Sequence, residues 1–300
     1  MKEKKLLKMK SAYLILAHKN PEQISILIKE LIAADSFVLL HIDKKSDIFP
    51  ERFYEEKVPN LWVCKDRIDV NWAGFSQIKA TLALIKLLYE LSLNVDYVHL
   101  ISGQDFVIKS RDTIHSFFQD NLGKNYIDCR SIPVNDIKKF RGNLDKIEYF
   151  WEVDKLGNDV AFQMFEKQKE NNKKRTFPKG YRPYCGSQWW SLHIDCILYI
   201  YQSCIPGSVL YDFYENTYVP DEMYFQTVIM NSNFKDTVIP NNYRYIEWIN
   251  EIGRSSVLTK KDYFKLVESP CFFARKFDTD VDRSIIDYLS TYINNRRVNS

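Results

Sequence analysis

Short, largely apolar runs alternate with helix-like patterns along the first hundred residues. The strand-like runs lie at 12–17, 37–43 and 97–101, and they are apolar at most consecutive positions rather than at alternate ones. Such runs are typical of strands that are covered on both faces, as in parallel sheets. Between them, Pro21 begins a segment with apolar residues at helical spacing, and a longer helical pattern spans 74–91. The alternation predicts an α/β fold in which helices flank a mostly parallel sheet.

The alternating pattern is lost in the middle of the chain and returns after it. The segment 130–180 is polar and rich in lysine, and we predict an irregular insert there. Beyond it, a strand is predicted at 189–192, and helices are predicted to begin near positions 195, 221 and 280. No linker rich in Gly, Pro or Ser divides the 300 residues, so we expect a single domain.

Charge and composition exclude several classes of protein. The net charge is only +3, and Lys and Arg are spread evenly, which argues against a nucleic-acid binder. No apolar run reaches the roughly 18 residues of a membrane span. The N-terminus carries several lysines, but the apolar run behind it is too short for a signal peptide. We therefore expect a cytoplasmic protein whose lysine-rich N-terminus makes at most peripheral contact with the inner face of a membrane.

Polar residues follow three of the predicted strands, namely His18, Asp43 and the segment 102–105. Ligands of open parallel sheets bind beyond the carboxyl ends of the strands, so these residues predict a nucleotide or sugar pocket. The chain has neither a G-x-G-x-x-G fingerprint nor a P-loop.

A metal site is not expected at this predicted pocket. Enzymes that bind a diphosphate through a divalent ion usually hold it with paired carboxylates at a strand end, and the segment 102–105 has one acid. The Asp-x-Asp pairs within 278–282 are interpreted as acids at the start of a terminal helix. The six cysteines form no C-x-x-C pair, so we predict neither zinc nor disulfides.

Seven sequence blocks, taken in order, resemble one known family. They are Ala12–His18, His41–Ser46, Val70–Ser76, Tyr97–Ser110, Gly186–Trp190, Val219–Glu222 and Phe272–Asp278. Together they resemble the core-2/I-branching β-1,6-N-acetylglucosaminyltransferases, a family that also includes the peptide O-xylosyltransferases. The resemblance extends from about 12 to 282 and fades between 130 and 180. Ala73 departs from a usual Gly and Val107 from a usual Pro.

The resemblance implies a GT-A-like (Rossmann-like) fold, an inverting mechanism and independence of metal, so that no cofactor is expected. Glu222 matches the general base of the family; without the resemblance it would be interpreted as an acid at a helix start. Lys276 matches the lysine that binds the donor diphosphate. Arg254 matches the corresponding arginine by a looser alignment, and its alternative is a surface cation. Arg275 is expected to point away from the site, because neighbouring side chains alternate in an extended chain.

Further residues enter the predicted site through the same resemblance. Asp43 and Trp72 match contacts to the donor uridine. Trp248 matches the ring on which an acceptor sugar packs, and Asp105 is placed with the acceptor as well. For each tryptophan, a buried core aromatic is the alternative.

The implied function is an inverting transfer of N-acetylglucosamine from UDP-GlcNAc to a hydroxyl of a glycan or lipid-linked glycan, in surface-polysaccharide synthesis. UDP-xylose or another UDP-hexose is an alternative donor, because the last block also resembles the xylosyltransferase branch. A non-catalytic carbohydrate-binding protein of the same fold is an alternative from another class. The single domain would then comprise a nucleotide-binding part at 11–129, the insert at 130–180, and an acceptor and catalytic part at 181–300.

Overall fold

The computed structural model describes residues 9–55, 58–132, 144–249 and 254–297. The strands are β1 Ser11–Ala17, β2 Ser36–Ile42, β3 Leu61–Val63, β4 Tyr97–Ser102, β5 Asp105–Val107, β6 Asn125–Ile127, β7 Arg130–Ser131, β8 Tyr184–Cys185, β9 Trp190–His193, β10 Val238–Ile239, β11 Arg244–Ile246, β12 Trp248–Ile249, β13 Arg254–Ser255 and β14 Phe273–Arg275. The α-helices are α1 Pro21–Leu31, α2 Glu51–Glu55, α3 Ser76–Glu90, α4 Arg111–Asp120, α5 Asp145–Glu148, α6 Val153–Glu170, α7 Ile194–Ser203, α8 Val209–Tyr214, α9 Tyr224–Met230, α10 Tyr263–Glu268 and α11 Ser284–Arg297.

The main sheet has seven strands in the order β10-β6-β9-β4-β1-β2-β3. The central strand β1 pairs in parallel with β2 and with β4, and β2 pairs in parallel with β3. Strand β9 is antiparallel to both of its neighbours, β4 and β6. The prediction of a mostly parallel sheet flanked by helices is therefore confirmed.

A second, three-stranded sheet lies at the carboxyl end of β4. Strand β5 follows β4 after a two-residue turn and pairs antiparallel with β14, which also pairs in parallel with β11. In this register Asp105 stands opposite Arg275. The small sheet therefore brings the last part of the chain to the edge where we expect the ligand.

Two hydrophobic cores hold the helices against the main sheet. Helix α3 buries Ile78, Leu84, Ile85 and Leu88, which lie on one side of the helix and form an apolar stripe. It packs with α7 and α9 on one side of the sheet. Helices α1, α4 and α11 contribute to the other core. Because both faces of the sheet are covered, its strands are apolar on both sides, as their sequences indicate.

The middle segment is not irregular where the structure describes it. It contains the short helix α5 and the 18-residue helix α6, which is kinked at Gly157, where φ is 76°. Inside α6, only Val153, Ala161 and Phe165 are buried. So few apolar contacts leave a weak periodic signal, which explains why the sequence did not indicate this helix.

The acidic segment 278–282 precedes α11, and only some of its carboxylates act as the predicted acids at a helix start. The Asp282 carboxylate accepts hydrogen bonds from the Ser284 N–H and hydroxyl, at 2.9 Å and 2.5 Å. The Asp278 carboxylate instead accepts from Lys19 and Asn20, at 2.5 Å and 2.6 Å. Asp278 therefore ties the end of the chain to the loop after β1. Among the described residues, no helix is both long enough and apolar enough to cross a membrane.

Candidate active site

The polar residues that follow β1, β2 and β4 meet at one edge of the main sheet, because these three strands are parallel neighbours. The Asp43 N–H donates to the Ala17 carbonyl at 2.8 Å, and the Gly103 N–H donates to the Leu16 carbonyl at 2.8 Å. The predicted convergence at the carboxyl edge is present.

Asp43 organises the loop that carries Trp72. One of its carboxylate oxygens accepts from the Lys45 N–H at 3.0 Å and from the Val70 N–H at 3.3 Å. The Trp72 side chain is 68% exposed and meets the Tyr218 ring edge-on, with the ring centroids 6.0 Å apart. A core role for Trp72 is therefore excluded, and its ring is open to stacking with a base.

A carboxylate from the middle segment fixes the start of α3. Asp154 accepts from the Ser76 N–H at 2.7 Å, the Ser76 hydroxyl at 2.6 Å and the Asn71 amide at 3.2 Å. A β-carbon on Gly74 would lie 2.1 Å from an Asp154 oxygen, so glycine leaves the space this carboxylate needs. Asp154 was missed in the sequence because it lies where the family resemblance fades.

Glu222 ends a short 3-10 turn, Pro220–Glu222, that is anchored to the Trp72 loop. The Val219 N–H donates to the Ala73 carbonyl at 3.0 Å. Both Val219 and Ala73 have left-handed backbone conformations, with φ of 51° and 65°. An L-residue is strained there and glycine is not, which gives a physical reason for the usual Gly at position 73.

The Glu222 side chain is 36% exposed, and its carboxylate lies 3.5 Å from the Lys146 ammonium. Its own carbonyl accepts from the Gly186 N–H at 2.8 Å, which ties the turn to the segment before β9. Beside it, Asp221 is buried, and burial together with the Glu222 charge raises the pKa of the Asp221 carboxyl. Glu222 is thus the accessible member of the acidic pair.

Arg275 does not point away from the site, so that expectation was wrong. Its Nε lies 3.4 Å from the carboxylate of Asp105, and its guanidinium lies 4.3 Å from the centre of the Trp189 ring. Asp105 is 1% exposed and also accepts from the Ser102 N–H at 3.0 Å. Burial raises the pKa of Asp105, while Arg275 opposes that change. The carboxylate therefore faces Arg275 rather than solvent.

Lys276 reaches the same edge of the sheet. Burial and the charge of Lys276 lower the pKa of His18, as do the charges of Lys19 and Arg275. The Lys276 carbonyl accepts from the Leu258 N–H at 2.8 Å, so Lys276, which directly follows β14, lies beside the segment after β13. The charges of three cations therefore act on His18, the first residue after β1.

Two further predicted site residues, Trp248 and Arg254, lie in the pair of antiparallel strands β12 and β13. Trp248 is 54% exposed, so a core role is excluded for it as well. The backbone of Arg254 pairs with Ile249, but the Arg254 side chain lies outside the described residues. Within the described ranges, no group of three or more His, Cys, Asp or Glu side chains is placed to hold a metal ion.

A model of the family described as "Core-2/I-Branching enzyme" matches residues 11–269 of the chain. The chain belongs to this family. Membership confirms the predicted family, and the mostly parallel sheet flanked by helices agrees with the predicted GT-A-like α/β fold.

Curated relatives of the chain include several xylosyltransferases. Xylosyltransferase sqv-6 of Caenorhabditis briggsae is 23% identical over 293 residues, which cover 90% of the chain and 35% of the relative. Human xylosyltransferase 2 is 24% identical over 303 residues, which cover 94% and 33%. Rat xylosyltransferase 1 is 24% identical over 307 residues, which cover 94% and 35%. The chain thus spans about a third of the length of these relatives.

Proposed function

We propose that this branching-enzyme chain is an inverting glycosyltransferase that uses a UDP-sugar and needs no metal ion. The proposal rests above all on Glu222, a half-exposed carboxylate at the carboxyl edge of the sheet, with Lys276 and Arg275 at the same edge. Family membership supports the same reading. A base and a group of cations are what the transfer from a sugar diphosphate requires.

In the proposed step, the acceptor hydroxyl oxygen forms a bond to the anomeric carbon of the sugar. The bond from that carbon to the diphosphate oxygen breaks, and its electron pair leaves with UDP. Glu222 takes the proton of the hydroxyl. Because attack and departure occur on opposite faces of the anomeric carbon, its configuration is inverted.

We propose that Lys276 and Arg275 neutralise the charge on the departing diphosphate. Fixed cations act strongly at such a site because they need no reorganisation during the reaction. Asp105, which is buried against Arg275, would hold that guanidinium in place rather than touch the acceptor. Asp43 and Trp72 are proposed to bind the uridine. Arg254 remains a predicted diphosphate contact.

The donor sugar and the acceptor belong to this proposal too. The relatives are named as xylosyltransferases, so UDP-xylose is at least as strong a candidate as UDP-GlcNAc. The acceptor would be a hydroxyl of a glycan or lipid-linked glycan, and the exposed Trp248 ring is open to pack against its sugar face. A cytoplasmic location and a role in surface-polysaccharide synthesis are proposed on sequence grounds alone.

Glu222→Gln tests the proposal directly. The amide keeps the shape of the side chain but cannot take the proton, so transfer should fall by roughly a hundred- to ten-thousandfold. Binding of UDP, measured by calorimetry, should stay as in the wild type. Donors are compared by UDP release from UDP-xylose and UDP-GlcNAc in EDTA, where wild-type turnover should persist.

Three results would contradict the proposal. Transfer by Glu222→Gln within tenfold of wild type would remove the assigned base. Loss of wild-type turnover in EDTA that manganese restores would show that a metal is needed. Absence of UDP release with every donor would favour the non-catalytic carbohydrate-binding alternative.

A further inference from the structure

The contact between Lys146 and Glu222 joins the middle segment of the chain to the proposed base. Lys146 belongs to α5, and its side chain is only 13% exposed, whereas that of Glu222 is 36% exposed. Helix α5 is held in place from both sides. The Tyr218 N–H donates to the Lys146 carbonyl at 3.3 Å, and the Trp151 indole donates to the Asp145 carbonyl at 3.0 Å. The ammonium is therefore presented to Glu222 by a fixed backbone.

Other charged groups surround this pair from several elements. They are Asp221, Arg275, Asp128 and Arg130, with the thiol of Cys185 as a further titratable group. Arg275 is paired with Asp105, and Arg130 is paired with Asp128 at 3.1 Å. In the part of the chain that the structure describes, the ion pair recorded for Glu222 is the one with Lys146.

The carboxylate of a general base must point at the hydroxyl whose proton it takes, within hydrogen-bond reach. The Glu222 side chain is flexible and 36% exposed, so its backbone alone does not fix that direction. A charge-assisted hydrogen bond is stronger than a neutral one, so a cation held on a fixed backbone can orient a carboxylate. The Lys146 ammonium, 3.5 Å from a Glu222 oxygen, meets this condition.

We propose that Lys146 is a positioning residue, which fixes the direction of the Glu222 carboxylate towards the acceptor hydroxyl. This inference rests on the proposed function of Glu222 as the base. Lys146 itself neither takes the proton nor needs to touch the sugar.

The test compares Lys146→Met, which keeps the aliphatic stem without the charge, with Lys146→Arg, which keeps the charge. Lys169→Met is the matched control, because Lys169 pairs with Asp145 of the same helix at 3.6 Å. The first measurement is a carbon-detected NMR spectrum of labelled glutamate carboxyls at one neutral pH, in which Glu222 is assigned by its loss in Glu222→Gln. The Glu222 carboxyl signal should shift in Lys146→Met and stay near wild type in the other two variants, because only Lys146→Met removes the ion pair.

The second measurement is steady-state transfer at neutral pH. Lys146→Met should lower kcat by roughly ten- to a hundredfold while the KM for the UDP-sugar stays unchanged, and Lys146→Arg should keep most of the wild-type rate. An unchanged Glu222 carboxyl signal in Lys146→Met would overturn the inference, even if the wild type carries out transfer. A changed signal in a protein without any transfer would support the ion-pair role and overturn the proposed function instead.

Discussion

At the scale of single residues, the cations at the carboxyl edge are not equivalent. Lys19 is already paired with Asp278, and Arg275 is held by Asp105. Lys276 lies near His18, whose pKa it lowers. We therefore expect that binding of the donor diphosphate depends on Lys276 and Arg275 together.

Lys276→Ala should weaken UDP binding and slow transfer, because it removes one charge-assisted contact worth roughly 1.5–3 kcal/mol. Arg275→Ala should do the same, and it is therefore unsuitable as a control. Lys235→Ala is the control instead, because Lys235 lies in an exposed 3-10 turn and is not among the predicted site residues. Calorimetry of UDP at fixed salt measures the difference. Affinity for UDP as in wild type after Lys276→Ala would remove the main support for metal-free departure of the diphosphate.

His41 lies at the end of β2 and gives the fold a pH dependence. Burial lowers the pKa of His41 to about 4, and the neutral ring accepts the Ile68 N–H at 2.9 Å. Since the unfolded chain takes up the proton more readily, stability should be fully present above about pH 6.5 and be lost as the pH falls towards 4. The loss between pH 7 and pH 5 should be about 2 kcal/mol.

His41→Gln keeps a side-chain acceptor but cannot titrate. Urea unfolding at pH 7 and pH 5 should therefore show a smaller loss of unfolding free energy in the variant than in the wild type. The same loss in both proteins would mean that other groups cause the acid sensitivity.

At the scale of elements, the start of α3 depends on the fit between Gly74 and Asp154. Gly74→Ala should destabilise the protein by about 1–3 kcal/mol, because its β-carbon has no room beside the Asp154 carboxylate. Asp154→Ala should cost about 2–3 kcal/mol through lost hydrogen bonds at the helix start. In the double variant the Gly74→Ala cost should largely vanish, since the other atoms near the added β-carbon belong to Asp154 too. Additive unfolding free energies would show that the two positions are independent.

The elements that could be predicted from the sequence are those with many apolar residues at strand or helix spacing. Strand β1 and helix α3 carry continuous or periodic apolar residues, and they lie within two residues of where their patterns place them. Helix α6 could not be predicted because few of its side chains are buried. The contact between Arg275 and Asp105 could not be predicted either, because it depends on the pairing of β5 with β14, to which no local pattern points.

At the scale of the whole molecule, the fold extends beyond the part that the family model matches. That match ends at 269, but β14 and α11 follow it. Strand β14, helix α11 and the segment between them insert fully buried side chains into the core, namely Phe273, Phe277, Ile285, Ile286, Leu289 and Ile293. They are therefore structural parts of the domain rather than an appendage.

A chain that ends at Ser269 should not unfold cooperatively. Burying each of those side chains contributes about 1.5–3 kcal/mol, and their sum rivals the 5–15 kcal/mol by which a domain is usually stable. A chain that ends at Arg297 is the matched control and should melt as the full chain does. Calorimetric scanning measures both. A single sharp transition in the shorter chain would contradict this view of the core.

The ion pair between Lys19 and Asp278 joins residues 259 positions apart. Contacts so distant in the chain close large loops, whose entropic cost delays them relative to the local pairing of β1 with β2. During synthesis, the strands that provide Asp43 emerge long before the strand that leads to Lys276. The proposed donor pocket would therefore gain Arg275 and Lys276 only after the strands of the main sheet have been synthesised, so an interrupted chain could form much of the sheet without the cations that the proposed transfer needs.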